Sequence, residues 1–258
     1  MILCMDVGNT MTCCGVFDGD DLKVHFRYHT KASMCSDELG VLLRGVLREN
    51  DVDFLDIQRI AICSVVPSQL HSLTNCCRKY FNLKPFVLRA GVKTGLKILY
   101  RNPLEVGADR IANAIAAVHA FPERDVIIVD LGTATTICAV SSKKEYLGGC
   151  IMAGLQISAQ ALETRTAQLP SVAIEKPARA LARSTVEGIQ SGLYFGALGM
   201  MREFITRISE EAFNGKEPLV IGTSGFSSLF ADAGIFDVVI SDLVLRGLLV
   251  ASRANHPS

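Results

Sequence analysis

Two short stretches place a carboxylate, a glycine and hydroxyls at the end of an apolar run: Asp6-Val7-Gly8-Asn9-Thr10 and Asp130-Leu131-Gly132-Thr133. A strand ending in Asp-X-Gly with a nearby threonine suits a triphosphate-binding hairpin, because a glycine lets the backbone approach phosphate oxygens that a Cβ would exclude. The hydroxyls of Thr10 and Thr133 can donate beside the backbone amides. Asp6 and Asp130 would repel phosphate directly, so the pattern calls for a cation between them, and Mg²⁺ held by one or two carboxylates plus phosphate oxygens fits. A third stretch, Gly107-Ala108-Asp109-Arg110, sets a carboxylate where a helix begins, a position that favours its charged form, next to a guanidinium able to fork onto a carboxylate. Such an aspartate is a weak base, which phosphoryl transfer tolerates because the attacking hydroxyl needs orientation more than early deprotonation.

The elements that must carry these residues follow from hydrophobic periodicity. Runs at 2–5, 11–17 and 22–28 are short and β-rich with Gly-Asn or Gly-Asp turn chemistry between them, which predicts an antiparallel meander. A helix is expected over 37–48 with Ser36 as its cap, then a buried strand at 59–66 and a helix opened by Pro67. Ile111, Ile115 and Val118 recur at helical spacing and predict a helix over 109–121. The opening pattern then returns as strands at 125–130, 134–140 and 145–149, followed by a long helix from 184, a strand at 218–222 and a last helix over 242–254. Overlaying the two openings pairs Asp6 with Asp130, Gly8 with Gly132 and Thr12 with Thr136 at a constant offset of 124 residues, which an internal duplication explains. The expected fold class is α/β, in two halves, 1–108 and 109–258, with the 109–121 helix between them.

Composition bounds the function. The chain has 258 residues, 49% of them hydrophobic, and 26 basic residues balance 26 acidic ones, so there is no net field to attract nucleic acid or an anionic membrane. The N-terminus has no signal-peptide pattern and no apolar run approaches the roughly 20 residues that span a bilayer. The protein is therefore expected to start at Met1 and be soluble and cytoplasmic. Nine cysteines without zinc-site spacing, Cys4, Cys14 and Cys63 among them in apolar surroundings, read as reduced core residues.

Beyond these motifs, both halves resemble the superfamily of actin, hexokinase and the heat-shock-protein ATPases, which implies ribonuclease H-like halves with a nucleotide cleft between them. The stretch 105–110 with Ala112-Asn113, the DLGTATT run with Gly148-Gly149, the segment 162–170, and Ser184-Thr185 through Ser191-Gly192 are similar to the type III pantothenate kinases. The resemblance implies ATP contacts along Asp6, Val7, Gly8, Asn9, Thr10, Met11, Thr12 and Cys13 and at Thr133. It implies pantothenate held by Tyr100, Gly107, Ala108, Asp109, Arg110 and Thr185, with Asp109 the catalytic carboxylate. It also implies Mg²⁺ served by Asp6 through phosphate, a monovalent cation, K⁺ or NH₄⁺, at Asp130, and a homodimer in which Thr185 reaches the other protomer.

Each of these residues has a plainer reading. Asp109 suits a helix cap, Ser184 and Glu187 form a capping box that accounts for polar residues around Thr185, and Tyr100 suits a strand end. Two positions depart from the family pattern: Ala153 stands where a proline is usual, and Ser224 where the middle residue of Thr-Gly-Gly is usual. Ser224 brings a Cβ to a place of close backbone approach to the base. A kinase of the same fold with another small acceptor, and a nucleotide-binding regulator that transfers nothing, are the alternatives.

Overall fold

The opening apolar run forms β1 (Ile2–Val7), which turns back antiparallel as β2 (Met11–Asp18) and again as β3 (Asp21–His29). These elements are seen in a computed structural model that describes residues 1–31 and 33–255. Then come α1 (Ser36–Glu49), β4 (Arg59–Ser64), α2 (Pro67–Phe81) and β5 (Phe86–Val87), with β4 parallel to β1 and β5 parallel to β4. The sheet order is β3-β2-β1-β4-β5. Period-two alternation drives Leu3, Met5, Val7, Cys14 and Val16 to one face, where they bury against Leu39, Leu43 and Leu47 of α1 and Leu73, Cys76 and Cys77 of α2. Pro67 opens α2 as expected, whereas α1 is capped by Cys35 and not by Ser36. Cys35 has the extended backbone a cap needs, and Glu38 reaches back to accept its N–H at 2.8 Å.

The pattern recurs in the second sheet. After β6 (Lys97–Ile98) and α3 (Ala108–Ala120), strands β7 (Val126–Leu131), β8 (Ala134–Val140) and β9 (Glu145–Ala153) form another antiparallel meander. Helices α4 (Leu155–Arg165) and α5 (Thr185–Phe213), strands β10 (Leu219–Thr223) and β11 (Val238–Val239) and helix α6 (Leu243–Asn255) complete the chain. The order here is β11-β10-β7-β8-β9-β6, with β10 parallel to β7, so five strands repeat the first topology and β6 adds one more beside β9. One face of this sheet buries Ile127, Val129 and Ile137 with Ile189, Leu193, Leu198 and Met201 of α5. Helix α4 falls where no element was expected: only Leu155 in it is buried, so there is no apolar stripe to read.

The duplication holds with one adjustment. Val7 faces Thr12 across the first hairpin, while Leu131 faces Thr135 across the second, so the first turn is one residue longer and the offset beyond it is 123. Thr12 therefore corresponds to Thr135, not Thr136, and both are buried. The register irregularities at Val16/Phe17 and Ala139/Val140 fall at the same adjusted offset.

By contacts the chain divides into two units. One comprises Met1–Gly95, Arg101–His119 and the C-terminal helix from Leu243; the other comprises Leu96–Tyr100 and Ala120–Asp242. Most of α3 therefore lies in the first unit, as does α6, which crosses it so closely that a Cβ on Gly247 would collide with the Ala112 carbonyl. Among the described residues no helix is long and apolar enough to cross a membrane, and the nine cysteines are free.

Candidate active site

In the first unit, Asp6 stands at the last pleat but one of β1, half-buried, paired across the sheet with Cys13 of β2 and Cys63 of β4. The turn beyond it is tight: the Gly8 N–H donates to the Met11 carbonyl at 3.1 Å, and a Cβ on Gly8 would lie 2.9 Å from that oxygen. Asn9 and Thr10 are exposed at its tip. Val7 and Thr12 point into the core, and the Thr12 hydroxyl pairs with that of Thr30 at 2.9 Å, so any contact they make to a ligand is through the backbone. Cys13 and Met11 are partly open on the face of Asp6 and on the turn, respectively.

Cys63, read from sequence as a small core residue, has a polar task as well. Its buried thiol donates to Asp6 Oδ1 at 3.0 Å. Burial pushes the thiol well above its ordinary range, and the Asp6 charge, the hydrogen bond to Asp6 and the Asp109 charge push it the same way. Asp6 and Asp109 therefore share one electrostatic neighbourhood around Cys63, although they lie more than 100 residues apart. What could have revealed this is that β4 ends level with β1, which parallel pairing brings together.

Asp109 occupies the first turn of α3, half-buried, its Oδ1 accepting from the Arg110 N–H at 2.9 Å. The Gly107 carbonyl receives the Ile111 N–H, so Gly107 does the capping that sequence offered to Asp109. A Cβ on Gly107 would collide with Asp109 Oδ1, so the carboxylate takes the space the glycine leaves. Ala108 is partly buried beside it, and the Arg110 guanidinium is buried, with Nη2 donating to the Glu105 carbonyl at 3.3 Å.

In the second unit, Asp130 is the last residue but one of β7, opposite Thr136 and alongside Thr223 of β10. A Cβ on Gly132 would stand 3.2 Å from Asp130 Oδ1. Thr133 is exposed at the turn, whose carbonyls rest on Gly154 so closely that a side chain there would strike Thr133 and Gly132. Gly154 was not among the site residues expected from sequence; its signal is that it closes the stretch in which Ala153 replaces the family's proline, and it is the N-cap of α4. Ser224, after β10, has φ +69°, in the left-handed region, and its carbonyl accepts from the Ser227 hydroxyl at 2.7 Å. Tyr100 is half-buried beside Gly148 (φ +136°), where an added Cβ would lie 3.9 Å from the ring, and its centroid lies 6.4 Å from that of Tyr146. Thr185 opens α5, exposed. Ser184 caps that helix by accepting from the Glu187 N–H at 3.3 Å, and Glu187 in turn accepts from the Arg183 N–H, one residue before the cap.

Each unit thus sets a carboxylate near the end of a strand beside a tight glycine turn, and Asp109 adds a second carboxylate to the first unit. Among the described residues no cluster of three or more His, Cys, Asp or Glu is placed to hold a metal ion. A cation held by one carboxylate and phosphate oxygens needs no such cluster.

The sequence-family model for type III pantothenate kinases matches residues 2–207. A Legionella pneumophila protein of that name is 56% identical over 255 residues, covering 99% of each chain. The chain belongs to the type III pantothenate kinase family. A Francisella tularensis type III pantothenate kinase 1 is 45% identical across 99% of this chain and all of its own, and one from Elusimicrobium minutum is 47% identical. Among solved structures, a Campylobacter jejuni chain described as a Baf family transcriptional activator aligns over 98% of both chains at TM-score 0.61 and 18% identity. A Sinorhizobium meliloti chain described as a 2-dehydro-3-deoxygalactonokinase aligns over this whole chain at TM-score 0.60 and 12% identity. At such identities these two establish the fold alone. This type III pantothenate kinase is an α/β protein of duplicated actin-like units, and its family membership makes it a phosphotransferase that uses ATP.

Proposed function

We propose that this chain transfers the γ-phosphoryl group of ATP to the primary hydroxyl of pantothenate, yielding 4'-phosphopantothenate in the first step towards coenzyme A. The observation that carries the reading is the match to the type III pantothenate kinases along nearly the whole chain, and Asp6 near the end of β1 and Asp109 in the first turn of α3 supply two carboxylates within one unit. Asp109 accepts the hydrogen bond of the pantothenate hydroxyl and aims it, near the positive end of the α3 dipole. The backbone of residues 6–13 and Thr133 hold the phosphates. Tyr100, Gly107, Ala108, Arg110 and Thr185 form the pantothenate site, with the buried Arg110 guanidinium offering charge to the acid end of the substrate.

Mg²⁺ is held through phosphate oxygens by Asp6, whose half-exposed carboxylate above the Gly8 turn suits it, and it would offset the charge of the transferring group. Asp130, equally half-exposed beside Gly132, takes the monovalent cation, K⁺ or NH₄⁺. The duplicated halves are 1–108 and 109–258 in ancestry. The enzyme works in the cytoplasm as a homodimer, for which Gly188, Gly192 and Gly196 offer support: they lie along one exposed stripe of α5 where added side chains would meet nothing.

A coupled assay of ADP release with purified protein, ATP and a panel of small hydroxy acids and sugars tests the reading. Turnover is expected with pantothenate, and it should need Mg²⁺ and rise with K⁺ or NH₄⁺. Turnover with another acceptor but none with pantothenate would overturn the substrate, and tight ATP binding with no turnover at all would overturn the kinase.

A further inference from the structure

The hairpin that is to hold a triphosphate has no cation of its own. From Asp6 to Asp18 the sequence contains no lysine, arginine or histidine, only two aspartates at its ends. ATP brings several negative charges, and a single divalent ion does not neutralise them all. A phosphate-binding site of this kind calls for a basic side chain from a neighbouring element.

The register of the first sheet identifies one. Asp6 pairs with Cys13, and Cys13 pairs with Arg27 of β3, so Asp6, Cys13 and Arg27 form a row across three strands with their side chains on one face. Two strand spacings separate Asp6 from Arg27, about 10 Å between backbones, and the residue between them, Cys13, is small and only partly buried. The other face is closed by α1 and α2, and Cys4 and Gly15, one pleat further back, lie under α6, where Leu245 approaches Gly15. Arg27 itself is exposed and makes no ion pair among the described residues.

The duplicated unit sharpens the point. There the row is Asp130, Thr136 and Ile151, so an exposed apolar side chain stands where the first unit has its guanidinium. The two meanders share this strand register beyond their unequal turns and differ in charge at this position.

We propose that Arg27 is a nucleotide-binding residue that reaches across Cys13 to the phosphates of ATP held by the β1–β2 hairpin. This deepens the proposed function and rests on that hairpin binding ATP. β3 is an edge strand on which His25, Arg27 and His29 alternate on the face of Asp6 and Lys23, at the bulge, extends the basic stripe, an arrangement that also guards an edge against pairing with another chain. The two roles separate experimentally, because any charge guards an edge but only a cation holds phosphate.

The test is equilibrium binding of Mg·ATP and of adenosine to the full chain, with thermal melts as the check on folding. The variants are Arg27→Gln, Arg27→Lys and Arg27→Glu, with Lys23→Gln as a control from the same stripe and Asp6→Asn as a control on the hairpin. Arg27→Gln is expected to weaken ATP about tenfold, the loss of one charge-assisted contact. Arg27→Glu should weaken it further, Arg27→Lys should recover part, and adenosine affinity and the KM for pantothenate should stay at the wild-type values. Lys23→Gln should bind ATP as wild type. Wild-type ATP affinity in Arg27→Gln or Arg27→Glu, while Asp6→Asn has lost it, overturns the assignment of Arg27 and leaves the hairpin standing. A raised KM for pantothenate with ATP binding unchanged moves Arg27 to the acceptor and equally overturns it. Absence of ATP binding by the wild-type chain, or full affinity in Asp6→Asn, removes the hairpin reading itself.

Discussion

Ser224 shows how much one side chain can set at a strand end. It sits in the left-handed region at φ +69°, where a Cβ costs about 1 kcal/mol, in the position that the family pattern gives to glycine. Ser224→Gly is expected to raise the melting temperature by a few degrees and to lower the KM for ATP, since it relieves the backbone and clears the approach to the base. An unchanged melt together with a raised KM would mean that the Ser224 side chain contributes a contact of its own. This position was legible as a departure in the sequence, but its conformation was not. Cys63 was legible only as apolar: the thiol's bond to Asp6 exists because two strands distant in sequence end at the same level, and residue type alone carries no trace of that.

Strand alternation and glycine turns were strong enough to read both meanders, since each buried face needs period-two apolar residues and each tight turn needs its special backbone. Turn length was harder. The constant-offset overlay placed Thr136 where Thr135 belongs, because a linear comparison does not see that Asp6 faces Cys13 while Asp130 faces Thr136. Helix α4 left no periodic signal, yet its N-cap, Gly154, packs against the second hairpin. The carbonyls of Gly132 and Thr133 rest on Gly154, and any side chain there must push the turn away. Gly154→Ala is therefore expected to cost about 1–3 kcal/mol and to reduce turnover more than it affects pantothenate binding. Denaturant melts and steady-state kinetics would check both parts, and a variant with wild-type stability and rate would show that the turn adapts freely.

At the scale of the whole molecule, the order β3-β2-β1-β4-β5 returns in the second sheet as β9-β8-β7-β10-β11, and this repeat in one chain is what the paired Asp-X-Gly motifs announced. The contact units cut across chain order, because α6 returns to the first unit after the second is complete, and nothing in local periodicity foretells where a terminal helix docks. Helix α5 carries a whole-molecule feature of its own: three exposed glycines at four-residue spacing weaken the helix by roughly 1 kcal/mol each relative to alanine, a cost that packing against a second surface would offset. Sedimentation should find a dimer at micromolar concentration, and Gly192→Leu should shift it towards monomer. A wild-type monomer would contradict the assembly.

The central claim is that the hydroxyl oriented by Asp109 belongs to pantothenate and receives the γ-phosphate of ATP. Its most direct test is mass-spectrometric detection of 4'-phosphopantothenate from ATP and pantothenate, comparing the wild-type chain with a folded Asp109→Asn variant. Product from the wild type and a fall of roughly 10²–10⁴-fold in the variant are predicted. Full product formation by Asp109→Asn would contradict the assigned role, and no phosphopantothenate from the wild type, with ATP consumed on another acceptor, would contradict the account as a whole.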